Sequence, residues 1–369
     1  MAAQIQASSS PSPHPPKSIK SISRSPALTS IPPAYIFPSS PPHPAADQSA
    51  PVGQIPTIDF SPLLSSSPDR RSGTVADLRA ACRDWGFFVV TNHGVPDGLI
   101  AAMIEAGRKF FEMAEEEKEE YRGGEKGVLE PIRCGTSFNS SVEKVFCWKD
   151  FLKAFVHPVF HSPSKPPGFR RSSSQVLEEY SKRTREVARE LLRGISESIG
   201  LEPDHIAKKL DLEQGMFQLL AANFYPPCPQ PELAMGMAPH SDHCLLTLLT
   251  QNGIDGLQVQ HHGNWVDVTN LSPNSFLVNV GDQLEILSNG KYKSVLHRAM
   301  VNREATRISI AMAHGPSLDS EVAPSPELLG EEEGTTQLPA YKGMKYRDYL
   351  LLQQSKQLDG KSGLDVVRA

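Results

Sequence analysis

The stretch PHSDHCLLTLLTQN, Pro239 to Asn252, sets an apolar run behind three titratable side chains. Leu245–Leu249 reads as a buried strand, yet His240, Asp242 and His243 precede it almost side by side. Imidazole and carboxylate are costly to bury alone, so solvent, a hydrogen-bond network or a metal ion must satisfy them. On an extended strand residues i and i+2 share a face, which projects His240 and Asp242 together and His243 to the other side. A His and an Asp presented this way supply two ligands of a three-ligand metal site. The third is expected to be a histidine on a neighbouring strand.

The downstream histidines compete for that place. His261 and His262 sit beside Gly263 in an expected hairpin turn, and His314 ends a strand before Gly315-Pro316. His297 lies mid-strand in KSVLHRAMVN, with Val295 and Ala299 on its own face, and is the best placed. Any one of these residues taken alone reads as a structural histidine. Together, two His and one carboxylate leave three positions of an octahedral metal open, the pattern of non-haem Fe(II) sites. Ten residues beyond His297 comes RIS, in which Arg307 and Ser309 share a face. Arginine offers a planar fork for bidentate carboxylate binding. Beside an open metal, that fork and a hydroxyl suit a small chelating dicarboxylate.

Composition narrows the class. The chain has 369 residues and a formal charge of −5, 39% of it hydrophobic and 7% aromatic. That length can bury a substantial core, and the acidic balance gives no footprint for nucleic acid. No apolar run approaches the ~18 residues of a membrane span. Five widely spaced cysteines, Cys82, Cys134, Cys147, Cys228 and Cys244, contain no CxxC pair and suggest a reducing compartment.

Along the chain, residues 1 to about 50 are Ser- and Pro-rich, with no acidic residue before Asp47. Such composition suits a disordered tail or a plastid or mitochondrial transit peptide; the tail is favoured, assigned to residues 1–26, with a cytoplasmic protein expected and the chloroplast as alternative. WGFFVVTNHG, Trp85–Gly94, reads as a buried strand, and helices are expected from Asp97 and over about Ser174–Ile199. After Gln218 the period changes from 3.6 to 2. DGLQVQHHGNWVDV reads as a hairpin; SFLVNVGDQLEIL, YKSVLHRAMVN and RISIAMAHG follow as short strands, and YRDYLLLQQSKQL as a terminal helix. Helices followed by many short strands imply an α+β jelly-roll core with helices outside it. The expected divisions are an N-terminal region of helices and first strands at 27–210, the jelly-roll core at 211–320 and a helical extension at 321–369.

The motifs IPTIDF, WGFFVVTNHG, NFYPPCPQPE, HSD with its distal His297, and RIS resemble the plant soluble 2-oxoglutarate/Fe(II)-dependent dioxygenases over almost all of residues 27 to 360. The subgroup most similar is flavanone 3-dioxygenase-like, to which melatonin 2-hydroxylases are related. The resemblance implies a double-stranded β-helix with Fe(II) on His240, Asp242 and His297. It implies 2-oxoglutarate on Arg307 and Ser309, with Asn223 and Tyr225 near the iron and the keto-acid end. Dioxygen is the implied co-reactant and ascorbate the reductant. By analogy the substrate pocket draws on the segments Arg133–Phe138, Trp148–Phe155 and Ala313–His314, with Arg133, Phe138, Phe155, Ala313 and His314 as the named candidates. Two positions depart from the family pattern. Cys244 stands where Gly is common, and Ala313 stands where flavonoid-oxidising members place a ring-packing Phe.

The expected activity is hydroxylation or desaturation of a small aromatic plant metabolite, flavanone-like first and melatonin-like second, by a monomer without nucleic-acid or membrane partners. Three other classes stand beside it. An iron oxidase that does without 2-oxoglutarate would release no succinate. A jelly-roll sensor would show no turnover. A zinc hydrolase would be expected to carry HExxH on a helix.

Overall fold

The computed structural model describes residues 18–37, 54–65, 67–122, 129–136, 143–164, 167–332, 335–355 and 362–369. The strands that build its core are β1 (Thr57–Asp59), β2 (Phe87–Thr91), β3 (Ile132–Thr136), β4 (Asp150–His157), β5 (Phe217–Tyr225) and β6 (Met237–His240). They continue as β7 (Leu246–Gln251), β8 (Leu257–His261), β9 (Asn264–Val268), β10 (Phe276–Val280), β11 (His297–Ala299) and β12 (Arg307–Gly315). An eight-stranded sheet has the order β1-β2-β10-β7-β12-β5-β4-β3, and a four-stranded sheet the order β6-β11-β8-β9.

Strand alternation divides the large sheet into two faces. In β12, Ile308, Ile310 and Met312 share one core with Leu220, Ala222 and Phe224 of β5 and Leu246 and Leu248 of β7. The helices Asp97–Glu112 and Pro167–Ser198 cover that face with Met103, Phe110, Leu177, Tyr180 and Leu191. Each fully buried large aliphatic side chain contributes roughly 1.5–3 kcal/mol. The other face carries Asn223, Thr247, Asn279, Arg307 and Ser309, and with the small sheet it encloses the functional cavity. Both faces being covered explains why β7 and β10 are buried at every position.

Three sequence expectations change. Residues 18–26, assigned to a disordered tail, are folded: Ile19–Ser23 is a short helix, and the Ser18 hydroxyl and the Ile19 and Lys20 amides all donate to the Asp150 carboxylate at 2.7–3.0 Å. Ile19, Ile31 and Tyr35 then pack on Phe146, Trp148 and Cys228. The second half of SFLVNVGDQLEIL is a helix, Asp282–Leu287, because DQLEIL has helical rather than alternating spacing and starts behind Gly281. A Cβ on Gly281 would stand 2.1 Å from the Cys244 carbonyl oxygen, so this close crossing requires glycine. Finally, β1 to β4 arise before residue 211 yet complete the large sheet, and segment 321–369 adds the short strand pair Glu321–Val322 and Met344–Lys345 to its helices. The β8–β9 hairpin forms as read, with His262 and Gly263 both at positive φ in its turn. No helix among the described residues is long and apolar enough to cross a membrane.

Candidate active site

His240 and His297 face each other directly across the antiparallel pair β6–β11, their ring centroids 4.2 Å apart. Asp242 joins them from outside any strand. The chain leaves the small sheet after His240 and enters the large one at Leu246, and Asp242 sits in that crossing. The strand parity invoked for the His240–Asp242 pair therefore does not apply; the crossover turns the carboxylate inward. Its Oδ1 lies 3.9 Å from Nε2 of His240 and 3.7 Å from Nε2 of His297. One donor atom from each residue falls within 4.8 Å of the others, a spacing that fits one ion.

The surroundings fix donor atoms and protonation. Nδ1 of His240 bonds to the Ala238 carbonyl at 2.9 Å, and Nδ1 of His297 to that of Val295 at 3.2 Å, leaving both Nε2 atoms for a metal. Burial, reinforced by His297, pushes the His240 imidazole down to about 3. Burial alone would raise the Asp242 carboxyl, but His297 and His240 hold it below its ordinary value. Neutral imidazole and ionised carboxylate are the ligating forms. Asn279 Nδ2 donates to Asp242 Oδ2 at 2.9 Å and orients it. Two imidazole nitrogens and one carboxylate, with the cavity side open, fit Fe(II).

The same face holds a fully buried cation. Arg307 is 1% exposed; its Nε and Nη2 donate to Gln251 Oε1 at 3.1 and 2.9 Å, and its guanidinium lies 5.1 Å from the Tyr225 ring. Burial lowers its pKa from the ordinary value. Gln251 and Tyr225 hold it directly and the Asp255 carboxylate acts on it from nearby, and its fork lines the cavity, where it suits a bound carboxylate. Ser309 stands on the same face one inward position along, opposite Asn223. This arrangement fits the distal carboxylate of 2-oxoglutarate.

The cavity is lined by the polar side chains of His240, Asp242, His297, Arg307 and Ser309 and by the apolar ones of Phe151, Ala221, Leu249, Leu257 and Ala311. Of the residues expected in the substrate pocket, Ala313 and Phe155 lie on the inward face one row further out, packed with Phe217 and Leu219. Arg133 lies on β3 opposite Lys153. Phe138 lies outside the described residues. His314 corrects the expectation. It occupies the opposite parity of β12 from Arg307, is fully buried and lies 3.0 Å from Gln218 beneath the long helix, so it does not reach the cavity. Among the other histidines, His261 stacks on Trp85 at 3.7 Å and His243 bonds to the Tyr346 hydroxyl at 2.8 Å. Cys244 is buried beside Thr247, and burial keeps it a thiol. Lys149 and Lys153, within the expected Trp148–Phe155 segment, line the cavity; the sequence reading missed Asn279 and Gln251, and a polar residue inside the apolar run FLVNV was the available signal for Asn279.

A jelly roll with such a triad and a buried arginine facing the open side of the metal defines a non-haem iron oxygenase that uses a keto-acid cosubstrate. Comparison with known proteins agrees: the chain belongs to the 2OG-Fe(II) oxygenase superfamily, whose family model matches residues 216–316, while residues 55–176 match the non-haem dioxygenase N-terminal region described from morphine synthesis. It is 47% identical to 2-oxoglutarate-dependent dioxygenase 19 of Oryza sativa subsp. japonica, over 88% of this chain and 93% of that protein. It is 36% identical to flavanone 3-dioxygenase 2 of the same organism, over 92% and 94%. The crystal structure of JOX2 in complex with 2OG, Fe and JA superposes with a TM-score of 0.83 at 32% identity, covering 96% of this chain and 98% of that one. The protein is a 2-oxoglutarate-dependent dioxygenase.

Proposed function

We propose that this dioxygenase hydroxylates or desaturates a small, ring-bearing plant metabolite of about flavanone size. We further propose that His240, Asp242 and His297 hold its iron, and Arg307 and Ser309 its 2-oxoglutarate. The observation that carries the reading is the single cavity in which triad, buried Arg307 and an apolar wall meet. Identity of 36% to a flavanone 3-dioxygenase supports the size and ring character of the substrate.

When bound, iron and 2-oxoglutarate supply the activation of dioxygen, with decarboxylation to succinate and CO2. The chain's own residues position and exclude. Arg307, braced by Gln251, fixes the distal carboxylate. Asn279 keeps Asp242 turned toward the metal. Phe151, Leu249 and Leu257 hold the substrate's ring and keep water away from the reacting C–H. With Ala313 rather than a large aromatic in the next row, ring stacking is weaker than in typical flavanone hydroxylases and the pocket is roomier.

The test is succinate release with Fe(II), ascorbate and 2-oxoglutarate, assaying naringenin-type flavanones and N-acetylated indoleamines side by side. Succinate formed in step with an oxidised ring compound is expected. Oxidation without succinate would place the protein with oxidases that dispense with the keto acid, and efficient oxidation of aliphatic compounds alone would refute the ring reading.

A further inference from the structure

Asp242 reaches the metal position from the crossing between the sheets, residues 241–245, which lies outside every strand. A carboxylate presented there needs support from elsewhere in the fold. One support is the turn that opens the helix Asp282–Leu287. The Asp282 amide donates to the Asp242 carbonyl at 2.7 Å, the Gly281 amide to that of Leu245 at 2.9 Å and the Gln283 amide to that of Cys244 at 3.1 Å.

The second support comes from the helix Tyr346–Ser355, whose first residue is 103 positions beyond His243. Tyr346 and Tyr349 are three apart and so share one face of that helix. Both are fully buried. The Tyr346 hydroxyl is hydrogen-bonded at 2.8 Å to Nδ1 of His243, the residue after Asp242. The Tyr349 hydroxyl donates at 2.8 Å to Oδ2 of Asp282, whose own amide holds the Asp242 carbonyl. The two hydroxyls thus bracket Asp242, one through its chain neighbour and one through the turn behind it. A Cβ on Gly315 would collide with the first oxygen and one on Gly363 with the second, so glycine at both places leaves room for them. Buried polar groups are almost always hydrogen-bonded, and each hydroxyl fixes the partner that satisfies it. A third buried tyrosine of the same region, Tyr341, donates instead to Glu285 Oε1 at 2.7 Å, one turn further along the helix from Asp282.

We infer that Tyr346 and Tyr349 are positioning residues for the iron site: their helix braces the crossing that presents Asp242, so metal affinity depends on two hydroxyls that do not line the cavity. This rests on the assignment of His240, Asp242 and His297 to iron and adds what holds the carboxylate among them in place.

The experiment uses the full chain freed of metal. Anaerobic calorimetry titrates Fe(II), and the absorption bands of bound Co(II) report ligand geometry independently of turnover. Tyr346→Phe and Tyr349→Phe keep the rings and remove only the hydroxyls. Each should weaken Fe(II) binding by roughly 5- to 10-fold, somewhat less than the about 10–100-fold of a partner bonded directly to a metal ligand, and each should shift the Co(II) bands. Tyr341→Phe is the control for lost stability: its melting temperature should fall, with Fe(II) affinity and Co(II) bands as in wild type. Wild-type affinity and bands in both Tyr346→Phe and Tyr349→Phe would overturn the inference, and so would an equal loss of affinity in Tyr341→Phe. Should the Phe variants not fold, hydrogen exchange in the unaltered chain decides. By linkage, saturating Co(II) should slow the amides of Tyr346–Ser355 more than those of the helix Asp97–Glu112; equal slowing in the two helices would overturn the inference. A wild-type chain that binds neither metal would overturn the iron assignment itself and the inference with it.

Discussion

Ser18 Oγ donates a 2.7 Å hydrogen bond to the carboxylate of Asp150, a residue 132 positions away at the start of β4. The same carboxylate accepts from the Ile19 and Lys20 amides and, at 2.6 Å, from Thr136 Oγ1. Trp148, on the other side of Lys149, is held edge-on by Tyr35 at 5.4 Å. The N-terminal segment thus grips both neighbours of Lys149.

Deleting residues 2–24 should therefore destabilise the protein. Hydrogen bonds to a charged group contribute about 1.5–3 kcal/mol each, and burying Ile19 contributes roughly 1.5–3 kcal/mol more. Thermal unfolding should shift down by several degrees relative to a deletion that stops before Ser18. An unchanged melting temperature would show that the clamp contributes nothing.

Asn279→Ala should weaken metal binding without unfolding the chain. Its amide is the hydrogen-bond donor that orients Asp242, and partners of this kind are worth about 10–100-fold in metal affinity. Equilibrium titration with Fe(II) under anaerobic conditions measures it, and wild-type affinity in the variant would remove Asn279 from the site.

Arg307→Lys keeps the charge and loses the fork that Gln251 braces. A charge-assisted hydrogen bond lost at about 1.5–3 kcal/mol should raise 2-oxoglutarate half-saturation by roughly 10- to 150-fold. Steady-state succinate release against 2-oxoglutarate concentration reads the change directly.

Asp282 gives the stability a pH dependence. Burial raises its carboxyl to about 7, and its Oδ2 accepts from Tyr349 at 2.8 Å. Because the folded value lies above the unfolded one, the stability it contributes is complete below the unfolded pKa, near ~4. It is lost as pH rises through the folded value. Asp282→Asn fixes the neutral form, so its melting temperature should gain on wild type progressively from pH 5 to pH 8. A difference independent of pH would contradict the assignment.

The candidate site residues were legible because their chemistry is conspicuous: histidines and an aspartate at the head of an apolar run, and an arginine followed at strand spacing by a serine. Parity along β12 also held the answer for His314, since it is seven positions from Arg307 and must face the helices. Other features needed the third dimension. DQLEIL is too short for its helical period to outweigh the strand before it. Asp242 owes its direction to a crossover between sheets, which no local period encodes. That Trp148–Phe155 borders the pocket was expected by analogy alone; which of its side chains face the cavity depends on how β4 pairs with β3 and β5. The Ser/Pro-rich leader hid its anchor because Ser18–Lys20 is bound by a carboxylate far away in the chain.

The central claim is that His240, Asp242 and His297 form one iron site to which 2-oxoglutarate binds beside Arg307. Anaerobic calorimetry, adding Fe(II) and then 2-oxoglutarate, tests it most directly. Wild type and the His261→Ala and His262→Ala variants should bind one iron per chain and then one 2-oxoglutarate, while His297→Ala should lose the iron and with it the tight keto-acid step. Stoichiometric iron binding by His297→Ala, followed by 2-oxoglutarate binding of wild-type strength, would contradict the account.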